Sequence, residues 1–225
     1  MATHPDPRPE QRLPLSRERV LRAAIALADS GGIESLSMRR LGQEVGVEAM
    51  SLYNHVANKD DIEDGIVEIV LGEIEEPPGD TDWKAGLRQT AISSHEVFVR
   101  HRWACSLMMR RPRASPTRMS WMEAVLRTLR QAGFSADMTH HAYHALDSHI
   151  VGFTLWVLPY LAIQRERPDF ARQVIEQLPL ADLPHLAEHI DFHLADRPGD
   201  TSEFDFGLEL ILDGLERLRP GRAED

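Results

Sequence analysis

The sequence predicts an all-α protein in two parts, a small N-terminal head holding a helix-turn-helix and a larger helical body. Three observations carry this. Apolar residues recur at three- and four-residue intervals from Val20 to Leu218, with no convincing two-residue alternation. Glycine and proline punctuate the periodic runs at Gly31–Gly32, Gly46, Pro77–Pro78 and Gly133. Charge divides the chain: residues 1–59 carry eight Lys/Arg and seven Asp/Glu, and residues 60–225 carry 17 and 29.

The elements follow in order. Residues 1–14 hold four prolines and almost nothing apolar, which predicts a disordered arm. A head spans residues 15–60. Its first helix is capped by Ser16, with Leu15 and Val20 as a hydrophobic staple and Val20, Ala24 and Leu27 on one face. It stops at Gly31–Gly32, where left-handed backbone is accessible. The second helix starts at the cap Ser37, runs through Met38, Leu41 and Val45, and stops at Gly46. A third, Glu48 to His55, follows within two residues, and two short helices joined by a glycine-containing turn are a helix-turn-helix. Asn58 caps a fourth helix, with Asp61 three residues on, that runs to Ile74 and ends before Pro77–Pro78.

The body spans residues 61–220. Helical spacing predicts segments over 82–101, 103–110, 116–132, 135–164, 182–194 and 204–219. Gly133–Phe134 reads as a helix end with Phe134 folding back on Leu129, and Ser135 caps the unusually long helix that follows.

Composition removes several classes. A single cysteine, Cys105, excludes an intrachain disulfide framework and fits a reducing cytosol. The proline- and charge-rich start lacks a signal-peptide core, and no run approaches the ~20 apolar residues of a membrane span. The expectation is a cytoplasmic protein that contacts no membrane. A net charge of −11 opposes nucleic-acid binding at first sight, but the acid lies in the body, and a near-neutral head can still dock on phosphate. No nucleophile–base pair or phosphate loop stands out, so neither an enzyme nor a cofactor is expected.

A recognition helix needs short side chains where backbone nears the major groove and polar groups that reach phosphate on either side. The third helix offers Glu48, Ala49, Ser51 and Asn54 on one face, with Leu52 and Val56 turned inward. Tyr53 and His55 sit where a hydroxyl and an imidazole reach phosphate, and Arg39, Arg40 and Lys59 are the cationic partners.

The run LSMRRLGQEVGVEAMSLYNHVANKDDI, with the Gly31–Gly32 stop before it, resembles the DNA-binding head of the tetracycline-repressor (TetR) family. Asp82–Trp83, Arg111–Pro112, the GFS at 133–135 and FGLELILDGLE at 206–216 resemble the body of the tetracycline-repressor subgroup, so the likeness covers roughly residues 15–219. It implies double-stranded operator DNA as a partner, with Arg39 reading a base and Ser37, Met38, Ser51, Tyr53, His55 and Lys59 holding the backbone or groove edge. Where the subgroup has a base-reading Gln followed by Pro, this chain has Ala49 and Met50. The resemblance therefore implies a different operator, with apolar contact to a thymine methyl at that position.

In the body, Leu146, Ile150, Phe153, Val157 and Tyr160 on the long helix, and Phe204, Leu208, Ile211, Leu215 and Leu218 on the last, repeat at 4,3 spacing. Two such helices from each of two subunits predict a four-helix-bundle homodimer with Leu146, Ile150, Phe153, Leu208, Ile211 and Leu215 in its seam, although internal core takes part of each stripe. The middle is rich in large, soft side chains, of which Phe98, Trp103, Leu107, Met108, Met122, Val125 and Trp156 are candidates to line a pocket. The resemblance implies a small-molecule effector there. Where the subgroup grips a magnesium-chelated drug with His and Glu, this chain has Met108 (or Leu107) and Trp156, which argues for an apolar or aromatic effector instead. One constellation supports another reading: His140, His144 and Asp147 fall at i, i+4, i+7, a spacing that can ligate zinc or nickel in a helical metal-binding protein or metalloenzyme.

Overall fold

The computed structural model describes residues 14–79, 82–110, 115–166, 169–175, 177–194 and 202–219. Among them there is no strand, and the chain divides into two compact units between Ile66 and Val67. The arm predicted for residues 1–14 lies outside the described residues but for Pro14, as does the Arg111–Pro112 motif.

The first unit is built on α1 (Arg17–Gly31), α2 (Met38–Val45), α3 (Ala49–Leu52) and the start of α4 (Lys59–Leu71). The predicted caps form. Ser16 Oγ accepts from the Arg19 amide, Ser37 Oγ from that of Arg40, and Asn58 Oδ1 from that of Asp61 at 2.8 Å. The turn after α2 is a Schellman motif: Gly46 has φ +77°, its amide donates to Gln43 O, and the Val47 amide donates to Gly42 O. Val20, Ala24, Leu41, Leu52 and Ile62 lie at the centre of this unit, each fully buried.

Two boundaries differ from expectation. The third helix is α-helical only over Ala49–Leu52; beyond it the amides of Tyr53, Asn54 and His55 bond three residues back, not four, so the chain tightens into a narrower turn. The fourth ends at Leu71, and Gly72 opens a run of turns through Ile74, three residues before the prolines.

The second unit comprises α5 (Trp83–Arg100), α6 (Arg102–Arg110), α7 (Pro116–Gln131), α8 (Ala136–Glu166), α9 (Phe170–Ile175), α10 (Pro184–Leu194) and α11 (Glu203–Leu218). α8 is its hub, packing against α5, α6, α7 and α11. Asp82 caps α5, and the next residue, Trp83, meets Phe134 edge-on with ring centroids 5.1 Å apart. Gly133 (φ +94°) ends the turn after α7, Phe134 donates its amide to Leu129 O, and both side chains are fully buried, as the sequence indicated. α11 is tied to α5 by Arg88–Glu209 and by Lys84, which reaches Asp213 and Glu216. Gly207 makes close packing with α8 possible, since a Cβ there would lie 2.5 Å from the His149 ring. The short α9 was not anticipated; Phe170 opens it only four residues after α8 ends.

Candidate nucleic-acid interface and effector cavity

The head's candidate contacts share the surface around α3. Ser37, Arg39, Arg40, Met50, Tyr53, Asn54 and Lys59 are exposed, with Met50 at 76% and Tyr53 at 47%; Met38, Ala49, Ser51 and His55 are half-buried. An exposed methionine and tyrosine beside one another have no role in the core of this unit. Leu52 and Val56 point inward, so the inward and outward faces match the sequence reading.

The cations differ. Arg40 donates to Ser35 O at 3.2 Å, and Lys59 lies 3.6 Å from Glu63. Arg39 is exposed and makes no side-chain hydrogen bond or ion pair within the described residues, leaving its guanidinium available for a base edge.

Two devices hold α3 in place. A Cβ on Gly42 would lie 2.8 Å from Val47 O and 3.2 Å from the Ala49 amide, so only glycine lets α3 start this close to α2. Sequence reasoning missed the second. Arg17 makes a bidentate pair with Asp61, both contacts at 2.7 Å, and also donates to His55 O; Asp61 additionally accepts from the Ala57 amide at 2.9 Å. These hydrogen bonds, Arg17's foremost, lower the Asp61 pKa to about 2. The hidden signal was the 44-residue separation of a charge pair, which no local pattern reveals.

In the body, α5, α7 and α8 enclose two neighbouring cavities that share Trp121, Asp147 and Ile150 in their walls. They contain about 370 and about 250 Å³ of space between lining atoms, mouths included. Of the predicted pocket residues, Phe98 and Met108 line the larger and Val125 the smaller. Trp103 and Leu107 are buried outside both linings, and Met122 is half-buried outside them. Trp156 is 66% exposed and lines neither. Leu71 and Ile74 join the larger wall from the end of α4 and the turn after it, and Arg118 and Asp147 bring charge to it. Burial raises the Asp147 pKa, against the opposing pull of Arg118 and His144.

Four of the six residues assigned to a subunit seam prove to be internal. Leu146, Ile150, Leu208 and Leu215 are buried within the single chain, and Phe153 and Ile211 are half-buried. The exposed apolar side chains are their neighbours: Leu155, Trp156, Tyr160 and Ile163 on α8, and Phe206, Leu210 and Leu218 on α11. Gly152 and Gly214 have open space where a Cβ would be.

The histidines and Asp147 do not converge on one point. His140, His141 and His144 are exposed, with ring centroids 5.4 and 4.6 Å apart in edge-on contact, while Asp147 lines the cavity. Among the described residues no three His, Cys, Asp or Glu side chains converge as a metal-ligand set. Nor is any described helix long and apolar enough to cross a membrane.

A helix-turn-helix with an outward polar helix, followed in the chain by helices that enclose a largely apolar cavity, is the architecture of a DNA-binding transcriptional regulator. The comparisons agree. Residues 20–63 match the bacterial regulatory proteins of the tetR family and residues 76–219 the tetracyclin repressor-like C-terminal domain, so the chain belongs to the TetR family. The HTH-type transcriptional repressor DrrR1 of Streptomyces coeruleorubidus is 33% identical over 215 residues, 91% of this chain and 78% of the relative. The class C tetracycline repressor of Escherichia coli is 30% identical, with 91% and 92% of the two chains covered. Among solved structures, the TetR family protein ActR of Streptomyces coelicolor in complex with actinorhodin superposes with a TM-score of 0.69 at 27% identity, covering 92% of this chain and 100% of that one.

Proposed function

We propose that this protein is a homodimeric repressor of the cytoplasm that binds a palindromic operator through α3 and leaves it when a small apolar or aromatic effector enters the α5–α7–α8 cavity. The observation that carries the reading is the course of α4. It begins at Lys59, among the candidate DNA contacts, and runs unbroken to Leu71, in the cavity wall. A ligand that spreads the cavity acts on the end of this helix, and differential affinity for two placements of it is all that linkage requires. The domain boundary proposed is accordingly functional, with residues 15–60 reading DNA and residues 61–220 sensing and assembling.

Two further observations support the assembly. Trp156, Tyr160, Phe206, Leu210 and Leu218 leave an apolar face on α8 and α11 that a second copy covers, with Gly152 and Gly214 allowing close helix approach. A two-fold pair of heads is also what half-sites one DNA turn apart require. The ActR complex holds actinorhodin, which supports a ligand role for the corresponding body in this chain.

The test is selection from random duplex DNA by the purified protein. A palindrome is expected, and its release by a compound library then follows by fluorescence anisotropy. Enrichment of a single half-site without symmetry would refute the dimeric reading; no enrichment at low salt would refute base reading by this head.

A further inference from the structure

The two cavities adjoin at Trp121, Asp147 and Ile150 as a larger and a smaller lobe, and their polar atoms are not scattered. Three helices each supply a pair at helical spacing: Thr90 and Ser94 from α5, Arg118 and Trp121 from α7, Tyr143 and Asp147 from α8. The rest of the wall is apolar, with Leu71, Phe98, Met108, Val125 and Ile150 among its members.

Within that polar band three buried atoms lack a hydrogen-bond partner among the described residues: Thr90 Oγ1, Trp121 Nε1 and Tyr143 Oη. Buried polar groups are almost always paired, so three orphans on one wall is an unusual concentration. Ser94 is not among them, because its hydroxyl donates to Thr90 O at 2.7 Å. The Tyr143 hydroxyl lies close to Arg118 and Asp147 without forming a well-made bond to either. Its pKa is pushed up to about 12, chiefly by burial and then by Asp147, so it keeps its proton at neutral pH.

The three are not equivalent. An indole N–H can only donate, and hydroxyls can donate or accept. The Trp121 and Tyr143 rings stand 6.3 Å apart at 64°, so an indole N–H and a phenolic O–H border the same space from α7 and α8. The wall holds one carboxylate, Asp147, but no acceptor stands in hydrogen-bonding geometry to either donor.

We propose that this space takes a flat, largely apolar ring system bearing a carbonyl or phenolic oxygen, and that Trp121 Nε1–H and Tyr143 O–H donate to that oxygen and set specificity for it. The inference rests on the reading of this cavity as the effector site. Flatness follows from the aromatic side chains that line the space, Phe98, Trp121 and Tyr143, and the oxygen from the two unspent donors. Thr90 offers a third hydroxyl in the smaller lobe for a second oxygen on a larger ligand.

A matched pair of probes separates the inference from the reading beneath it. Fluorenone and fluorene share one tricyclic skeleton and differ by a carbonyl. Equilibrium dialysis of the full chain against each should give at least about tenfold tighter binding of fluorenone, as expected for one or two hydrogen bonds to otherwise unpaired buried donors. Tyr143→Phe should erase about fivefold or more of that preference while leaving fluorene within twofold, and Trp121→Phe should erase as much of the ratio between the two probes, with helical circular dichroism and sedimentation unchanged. Tyr143→Phe deletes only a hydroxyl without a partner, so its melting temperature should hold or rise; a fall would mean that this donor is spent in the ligand-free protein and would overturn the proposal. Equal binding of both probes to the unsubstituted protein would overturn it while leaving the cavity as an effector site. A preference untouched by both substitutions would do the same. Failure of both probes to bind would overturn the cavity reading as well.

Discussion

The head and the body obey the same helical periodicity, yet one could be read face by face and the other could not. α2 shows why the head is legible. Leu41 and Val45 are inside, Arg39, Arg40, Gln43 and Glu44 are outside, and the helix has one apolar side. α11 has two. Phe204, Leu208, Leu212 and Leu215 are buried against its own subunit, while Phe206, Leu210 and Leu218 are exposed in it. A 4,3 stripe drawn through such a helix mixes the two sides. The difference teaches that periodicity locates a buried face but does not say which molecule buries it.

The sharpest way to break this comparison is to change two leucines that stand two residues apart. Leu208→Ala should cost the subunit about 2–5 kcal/mol, the usual range for a large-to-small change in a core, read by chemical denaturation. Leu210→Glu should leave helical circular dichroism intact and, if α11 pairs as proposed, shift the sedimenting species from dimer to monomer, because a charge would have to be buried in the proposed seam. A stable monomer from the first or an unchanged dimer from the second would mean that the inner and outer faces of α11 have been exchanged.

The head offers finer tests. Arg39→Ala should weaken operator binding by about 1–3 kcal/mol and relax the preference at one base pair, measured by competition against operator variants. Equal loss on every sequence would demote it to a phosphate contact. Asp61→Asn should cost about 1–2 kcal/mol of stability, discounted because Arg17 and Asp61 remain partly exposed. Since the folded pKa is about 2, below the ordinary aspartate range, the stabilisation is complete above about pH 4 and is lost as pH falls toward 2. An acid titration should therefore show a transition in that window that Asp61→Asn flattens. Smallest of all, Lys59→Ala should shallow the salt dependence of operator binding by about one unit of slope.

Much of the architecture was legible because local chemistry dictated it. Ser16, Ser37, Asn58, Asp82 and Ser135 mark helix starts, and Gly46 and Gly133 mark ends, through side-chain and backbone bonds that span only a few residues. What escaped was long-range. Arg17 and Asp61 meet across 44 residues, and the cavity's polar band draws Thr90, Trp121 and Tyr143 from three helices. Asp147 was noticed, but beside histidines; helical geometry turns it toward the cavity and leaves them outside. The recognition helix was overextended because no glycine or proline within Tyr53–His55 marks an end, while the backbone there takes the tighter turn.

The burial of Cys105 has a practical consequence. Its side chain is wholly enclosed and burial pushes the thiol pKa up to about 12, so at neutral pH almost no thiolate exists to be oxidised or alkylated. The protein is therefore ready for site-selective labelling without first removing a native thiol. A single cysteine installed on the exposed surface of α3 or α4 would be the only reactive sulfur in each copy, and a dye attached there would test whether two heads pair as proposed and how their spacing answers to DNA.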